Sequence, residues 1–361
     1  MKGFSKFVSK ITALISSLVL TCTITMTTVA DATDTTETSD LLQCDHIVEL
    51  SDGGKIYVYY INGIENTFPV PPEGFNPIVA SDEALATYGF PPRPTDLNDL
   101  DNWTKDMSAY KYTPVPEIKV SDVVYGVDQP VKMQEKNAAK GLDQTTGSYN
   151  WSGYIAKGNY VMMQADFIQP SVNASDPYYT HEGTWIGFGG YGGSNKLVQT
   201  GTGMGRMPSG NYYYAWYELI SPTTTNPPVV MSSVTVNPGD SIHLYCSFQQ
   251  ANNKFNAYIA NNTNGTAQSV LVNDIPASDY FDSSTAEFIN EKPSVTGTDK
   301  GLSNYVTTNW WNCQVYSMSN VWYNLGSTTY NKEIMYTLSG IKRAEPSGLS
   351  GKTFISTWYH Y

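Results

Sequence analysis

From about residue 149 onward, apolar and polar positions alternate in short stretches that Gly, Pro and Asn interrupt. A two-residue period predicts strands, because successive side chains of a strand point to opposite faces. No long stretch of this region has the period of an amphipathic helix. The pattern therefore predicts an all-β fold, a two-sheet antiparallel β-sandwich over residues 149–361. The predicted strands are 150–156, 160–168, 184–189, 196–200, 212–220, 232–236, 241–248, 255–260, 268–272, 285–290, 313–318 and 334–341.

A small mixed α/β segment is predicted before the sandwich, over residues 33–120. Residues 46–61 form a hairpin pattern around a glycine-containing turn. Ser81 is placed to cap a short helix, and Gly89 is placed to end it. A second helix follows, because apolar residues recur there at a spacing of three or four. That stripe is Leu97, Leu100, Trp103 and Met107.

The two ends of this segment have their own patterns. Residues 1–32 predict a cleaved secretory signal, because a lysine-bearing start precedes a mostly apolar stretch and a small-x-small site at Ala30-Asp31-Ala32. A membrane-spanning helix is the alternative, but Ser and Thr interrupt the apolar stretch. Residues 121–148 are polar and predict a linker. We therefore expect a secreted, extracellular protein without membrane contact once the signal is removed.

The net charge and the cysteine spacing argue against nucleic-acid binding and against a cysteine-ligated metal site. The formal charge of −12 comes from 21 Lys+Arg against 33 Asp+Glu, without a basic cluster, which argues against a nucleic-acid partner. After signal removal, Cys44, Cys246 and Cys313 remain, an odd number that allows at most one disulfide. Their spacing matches no metal-binding motif. We expect no metal and no cofactor.

The common hydrolase motifs are missing. His181-Glu182 lacks the second histidine of a zinc-protease helix, and neither a G-x-S-x-G turn nor an Asp-Thr/Ser-Gly pair occurs. An enzyme with this sequence would work with carboxylates, amides and aromatic rings. Such residues do lie on strands: Gln199 in one, Tyr214, Trp216 and Glu218 on one face of another, and Glu287 and Glu291 on one face of a third. A solvated sheet face is one reading, and a cleft that grips a peptide or a glycan is the other.

Six blocks from Asn150 onward are together specific. They are Asn150-Trp151-Ser152-Gly153-Tyr154, Trp185-Ile186-Gly187-Phe188-Gly189-Gly190, Val198-Gln199-Thr200-Gly201, Tyr214-Ala215-Trp216-Tyr217-Glu218, Pro238-Gly239-Asp240-Ser241-Ile242 and Ala286-Glu287-Phe288-Ile289-x-Glu291. In this order they resemble the glutamic peptidase (eqolisin) family, in its bacterial branch. The resemblance implies a concanavalin-like sandwich whose concave face holds a catalytic dyad, by position Gln199 and Glu287.

The resemblance also implies a mechanism. Glu287 would act as general base and then general acid, and the Gln199 amide would stabilise the tetrahedral oxyanion. Trp185, Trp216 and Glu218 match family residues that line the cleft, so they are expected to bind substrate or support the site. The protein would be a monomeric, secreted endopeptidase acting on polypeptides at acidic pH. It would be made as a zymogen, with residues 33 to about 145 covering the cleft until cleavage near Lys132–Lys140.

The sequence departs from the family pattern at Gly189 and Ile220, and a second function is consistent with the sequence. Gly189 stands where many fungal members carry Asp, which puts a strongly acidic optimum in question. Ile220 replaces an expected aromatic residue. The alternative function is a secreted glycan-binding or glycoside-active β-sandwich protein. Glu287 and Glu291 lie about 13 Å apart along a strand, too far for a glycosidase pair, but Glu218 and Glu287 could approach each other across the sheet.

Overall fold

The computed structural model describes residues 41–121, 123–128, 144–224, 226–294 and 301–361. The predicted signal at 1–32 and the predicted cleavage region at 132–140 lie outside these ranges. Three helices are described: α1 (Asp82–Thr87), α2 (Leu97–Ser108) and α3 (Ala277–Tyr280). Within the described ranges, no helix is both long and apolar enough to span a bilayer.

Most of the described chain is strand. In chain order the strands are β1 (His46–Glu49), β2 (Lys55–Ile61), β3 (Ile64–Val70), β4 (Ile118–Val120), β5 (Gln144–Ser148), β6 (Trp151–Lys157), β7 (Tyr160–Ile168), β8 (Thr180–Gly189), β9 (Leu197–Met207), β10 (Gly210–Ile220), β11 (Val229–Met231), β12 (Ser241–Gln249), β13 (Lys254–Asn261), β14 (Ala267–Val272), β15 (Thr285–Glu291), β16 (Gly301–Leu302), β17 (Thr307–Ser317), β18 (Trp322–Asn324), β19 (Thr329–Tyr336), β20 (Lys342–Pro346) and β21 (Phe354–Trp358).

Strand pairing produces one continuous sheet that turns back on itself. One part runs β10–β9–β8–β15–β6–β19, and the other runs β17–β7–β12–β13–β14–β3–β2–β1. Strands β20 and β21 connect the two parts between β19 and β17. Buried side chains from both parts share one core, among them Phe188 and Phe288 from the first and Phe167 and Phe255 from the second. The predicted all-β sandwich is confirmed.

The residues before the sandwich are built into its edges. Strand β3 pairs with β14, and Phe68 is fully buried in the shared core. Strand β4 pairs with β11, which extends the first part of the sheet beyond β10. The predicted hairpin and both predicted helices are present: Ser81 Oγ accepts a hydrogen bond from the Ala84 N–H at 3.1 Å. In α2, Trp103 and Met107 are buried, whereas Leu97, its first residue, is 76% exposed.

Some local predictions differ from the structure. The strand predicted over 334–341 ends at Tyr336, and residues 337–341 form a turn in which the Gly340 N–H donates to the Thr337 carbonyl. Residues 232–236 alternate like a strand but form a turn, in which the Val234 N–H donates to the Met231 carbonyl. Residues 144–148, placed in the predicted linker, form β5, which pairs in parallel with β19. Strand β5 carries no large apolar residue, so its pattern gave no strand signal.

Candidate active site

The strand register brings the predicted dyad residues to one place. Gly187 in β8 pairs with Glu287 in β15 on one side and with Gln199 in β9 on the other. Gln199 in turn pairs with Glu218 in β10. Directly paired residues of antiparallel strands point to the same face. Glu287, Gln199 and Glu218 therefore lie in one row on one face of the sheet, with a glycine between the first two.

Because Gly187 has no side chain, the space above it is open to the side chains of the paired residues Gln199 and Glu287. A Cβ atom there would lie 2.6 Å from the Val198 carbonyl oxygen and 2.9 Å from Gln199 Cβ. Two strand spacings of about 4.8 Å separate the backbones that carry Gln199 and Glu287. Both side chains are long enough to lean over the glycine from opposite sides, so an amide and a carboxyl group can act on one substrate atom.

The polar groups of this row are buried but only partly paired. Gln199 and Glu287 are fully buried, and Glu218 is 1% exposed. Gln199 Nε2 donates to Glu218 Oε2 at 2.6 Å. Among the described residues, Gln199 Oε1, Glu218 Oε1 and both Glu287 carboxyl oxygens have no partner in hydrogen-bond geometry. Buried polar atoms are rarely left unpaired, and such atoms are the ones through which a site binds water or substrate.

Burial sets the ionisation of both carboxyl groups. Desolvation raises the pKa of Glu287 well above its ordinary value, and the Asp282 charge adds to this, while the Thr285 hydroxyl and the Gly189 N–H act to lower it. The pKa of Glu218 is also raised well above its ordinary value, first by burial and then by the Glu291 charge. In this form of the protein both groups are protonated at acidic pH.

Asp282, which no sequence pattern indicated, lies beside Gly189 and affects Glu287. Gly189 has φ +91°, a conformation that residues other than glycine rarely adopt, and a Cβ atom there would lie 2.3 Å from the Lys196 carbonyl oxygen and 3.2 Å from Asp282 Cβ. Burial acts to raise the pKa of Asp282, but Ser284, Ser194 and Lys196 outweigh it and hold the pKa low. Asp282 thus places a negative charge beside Gly189 and Glu287.

Two tryptophans, Trp185 and Trp216, lie on either side of Gly201, on the same face as the polar row. Trp185 and Trp216 both pair with Gly201, one from each side, and both are fully buried. Trp185 Nε1 donates to Glu291 Oε2 at 2.8 Å, whereas Trp216 Nε1 has no partner among the described residues. Burial raises the pKa of Glu291 to about 8, although hydrogen bonds, from the Gly126 N–H first, act to lower it.

A segment from before the sandwich lies over this face; we call residues 123–128 the cover segment. The Tyr125 ring stacks on Trp216 with centroids 3.8 Å apart and planes 9° apart. The Gly126 N–H donates to Glu291 Oε1 at 3.1 Å, and the Asp128 N–H donates to the Gly190 carbonyl at 3.0 Å. The polar composition of residues 121–148 predicts a linker, whereas residues 123–128 pack against the sheet. Their apolar run, Val123-Val124-Tyr125-Gly126-Val127, is the signal that could have indicated a buried segment.

A second buried cluster joins α2 to the sandwich. Asp106, Asp166 and His243 bring their oxygen and nitrogen atoms within 4.8 Å of one another, as ligands of a metal ion do. His243 Nδ1 lies 2.7 Å from Asp166 Oδ1 and 3.5 Å from Asp106 Oδ2. The shorter distance is that of a ring N–H donating to a carboxylate, which occupies the ring nitrogen that would otherwise face a metal. The cluster holds α2 against strands β7 and β12.

Comparison with known families decides the identity. The profile of the Peptidase A4 family matches residues 149–344. The chain belongs to the Peptidase A4 family. It is therefore a peptide-bond hydrolase of the glutamic peptidase type, which confirms the family resemblance drawn from the six sequence blocks, and its substrates are polypeptides. The comparison with curated proteins gave no match.

Several solved structures resemble this A4 peptidase. Scytalido-glutamic peptidase with a transition-state analogue inhibitor is 21% identical, with a TM-score of 0.49 over 58% of this chain and 98% of that one. SCP-B, an eqolisin in complex with the tripeptide Ala-Ile-His, is 20% identical, with a TM-score of 0.46 over 58% and 98%. Aspergilloglutamic peptidase from Aspergillus niger is 20% identical, with a TM-score of 0.43 over 50% and 99%.

Proposed function

We propose that this A4 peptidase is a secreted endopeptidase in which Glu287 and Gln199 form the catalytic dyad. The observation that carries the proposal is their position on either side of Gly187, on one face of the sheet. A water molecule and a substrate carbonyl above this glycine would contact both side chains.

Glu287 performs the proton transfers. As a carboxylate it takes a proton from the attacking water, and as a carboxylic acid it returns that proton to the leaving amine nitrogen. Its two oxygens have no hydrogen-bond partner among the described residues, so both are available for these steps. The same group thus serves in two protonation states during one turnover.

Gln199 stabilises the oxyanion of the tetrahedral intermediate. Its amide nitrogen carries two hydrogens; one is directed at Glu218, and the other is free to donate to the developing negative charge. Glu218 thereby fixes the orientation of the amide and acts as a positioning residue. Because an amide does not titrate, this donor persists at low pH. Losing one such donor costs about 3–4 kcal/mol of transition-state stabilisation.

An acidic pH range suits this dyad. Access of water and substrate to this face hydrates Glu287 and lowers its pKa toward the ordinary value of about 4.3. The charge of Asp282, whose pKa is held low, opposes this change and keeps Glu287 able to return its proton. Both protonation states are then accessible at mildly acidic pH.

The cover segment keeps the enzyme latent. It stacks Tyr125 on the Trp216 ring and lies on the face that carries Glu287, so a polypeptide substrate cannot reach the dyad. Activation requires cleavage in the region 132–140, after which residues 123–128 can leave this face. Mass analysis of active enzyme from culture tests this: the active chain should start after the cleavage region, and an active form that starts near residue 33 would contradict latency.

Digestion of denatured casein at pH 3, 5 and 7, with pepstatin present, tests the dyad. Glu287→Gln and Gln199→Ala should each abolish cleavage while the melting temperature stays within a few degrees of the wild type. Glu345→Gln is the matched control, since Glu345 lies in an ion pair with Lys332 at 3.0 Å and takes no part in the row; it should cleave like the wild type. Casein cleavage by either dyad variant at the wild-type rate would refute the assignment.

A further inference from the structure

The ring of Tyr125 occupies a slot that the sheet itself forms. In the register, Gly183 of β8 pairs with Gly203 of β9, and Gly203 pairs with Tyr214 of β10. This row lies parallel to the dyad row on the same face, four residues along β8 from Gly187. Two glycines thus form the floor of a space that Tyr214 closes at one side.

Both glycines are required for the slot to exist. A Cβ atom on Gly183 would lie 2.1 Å from Tyr125 Cε1, and the three nearest atoms to it all belong to Tyr125. A Cβ atom on Gly203 would lie 2.4 Å from Tyr214 Cζ and 2.5 Å from the Tyr125 hydroxyl. The space is therefore the size of one aromatic ring, and a single methyl group on Gly183 would fill the part of it that Tyr125 Cε1 now occupies.

The walls of the slot are chemically matched to a phenol. The Trp216 ring stacks flat on the Tyr125 ring at 3.8 Å, and the Tyr214 hydroxyl lies 2.9 Å from the Tyr125 hydroxyl. Tyr214 is partly buried, and desolvation raises the pKa of its hydroxyl well above the ordinary value. The group therefore stays a neutral hydroxyl that can donate or accept a hydrogen bond. An aromatic side chain gains both ring stacking and removal of its apolar surface from water in this place.

We propose that this slot is a substrate subsite that binds a tyrosine or phenylalanine side chain of the polypeptide being cleaved. The proposal rests on the function proposed above, because it places the subsite on the same face as the dyad. The cover segment fills the slot with Tyr125, so its departure makes the slot available to a substrate residue of the same kind.

The position of the slot fixes where the aromatic residue stands in the substrate. Gly183 and Gly187 are four residues apart along β8, about 13 Å at the usual rise of a strand. In the proposed mode the substrate lies extended along β8 and has the same rise per residue as the strand. Its aromatic residue then lies three to five residues from the bond that is cleaved. The preference is therefore remote from the scissile bond and independent of the residues beside it.

Cleavage of a peptide library by the active enzyme tests the proposal. Tyr and Phe should be enriched at one position three to five residues from the cleaved bond. For a matched pair of peptides that differ only there, Tyr against Ala, kcat/KM should differ at least tenfold. In Gly183→Ala this ratio should fall to within twofold of unity. Gly348→Ala is the control, since a Cβ atom there meets nothing within 4 Å, and it should keep the wild-type ratio.

A binding measurement separates failure of the subsite from failure of the peptidase function. The full chain carrying Tyr125→Ala and Glu287→Gln has an empty slot and no dyad base. By calorimetric titration it should bind acetyl-Val-Tyr-Gly-amide at least tenfold more tightly than acetyl-Val-Ala-Gly-amide, and adding Gly183→Ala should remove the difference. If the library is cleaved without an aromatic preference, the subsite proposal is overturned and the peptidase function stands, even where the tyrosine peptide binds. If no peptide is cleaved, the proposed function fails. If, in addition, the two peptides bind equally tightly, the subsite proposal is overturned as well.

Discussion

Glu291 makes the stability of the protein depend on pH in a way that can be measured. Its carboxyl group is 1% exposed and accepts hydrogen bonds from Trp185, Asn150 and the Gly126 backbone. Burial raises its pKa from 4.5 to about 8. The folded protein therefore binds this proton more tightly than the unfolded chain does. Stability is greatest where the group is neutral in both states, and it declines as the pH rises from 4.5 to 8.

The change Glu291→Gln removes this dependence, because an amide does not ionise. One pKa unit corresponds to about 1.4 kcal/mol. Relative to pH 4, the free energy of unfolding of the wild type should lose about 2 kcal/mol at pH 6 through this group. At pH 8 the loss should reach about 4 kcal/mol. The variant should not lose these amounts. Glu182 and Glu333, whose pKa values do not depend on the Glu291 charge, titrate in both proteins and cancel in the comparison.

Urea unfolding of the full chain at pH 4, 6 and 8, followed by tryptophan fluorescence, measures these differences. Both proteins should carry Glu287→Gln, so that neither digests itself. The control is Glu345→Gln: partial burial acts to raise the pKa of Glu345, but hydrogen bonds and charges of Lys342 and Lys332 hold it below its ordinary value, so this change should bring no gain at pH 8. A difference between Glu291→Gln and its parent that is the same at pH 4 and pH 8 would refute the reasoning.

Three further changes test other parts of the account. Phe68→Ala should lower the free energy of unfolding by about 3–5 kcal/mol, because the ring is fully buried in the shared core; urea unfolding that shows a loss below about 1 kcal/mol would mean that β3 is not part of that core. Gly187→Ala should lower kcat/KM at least tenfold, because its Cβ atom would displace Gln199, and an unchanged value would contradict the shared space above Gly187. Asp282→Asn should move the acidic limb of the pH profile of kcat/KM to lower pH, since loss of this charge lowers the pKa of Glu287, and an unmoved limb would contradict its role.

The row of polar residues was predictable because its signal is local. Gln199, Glu218 and Glu287 each interrupt a strand at a position where the alternation gives the face directly. Their order along the chain also matched the family blocks. What the alternation does not give is which strands are neighbours, since pairing depends on contacts between residues far apart in sequence. The family resemblance supplied that information for the dyad.

The resemblance implies that residues 33 to about 145 cover the cleft, but it does not indicate that residues 123–128 make the contact, and nothing in the sequence predicts the position of Asp282. The cover segment has neither a helical nor a regular strand pattern, and it is buried through contacts with distant residues such as Trp216 and Glu291. Asp282 lies outside β15, in a loop, and approaches Gly189 only in the folded chain. Both belong to the site through tertiary contacts that a single sequence does not show.

The affinity for a peptide analogue with a tetrahedral alcohol in place of the scissile carbonyl is the most direct test of the dyad. If Gln199 binds the oxyanion, the Ki of this analogue for Gln199→Ala should rise by roughly 10²–10³. It should rise in step with the fall in kcat/KM, while KM changes less than threefold. A Ki equal to that of the wild type, in a folded variant, would show that the amide beside Gly187 does not contact the reacting centre.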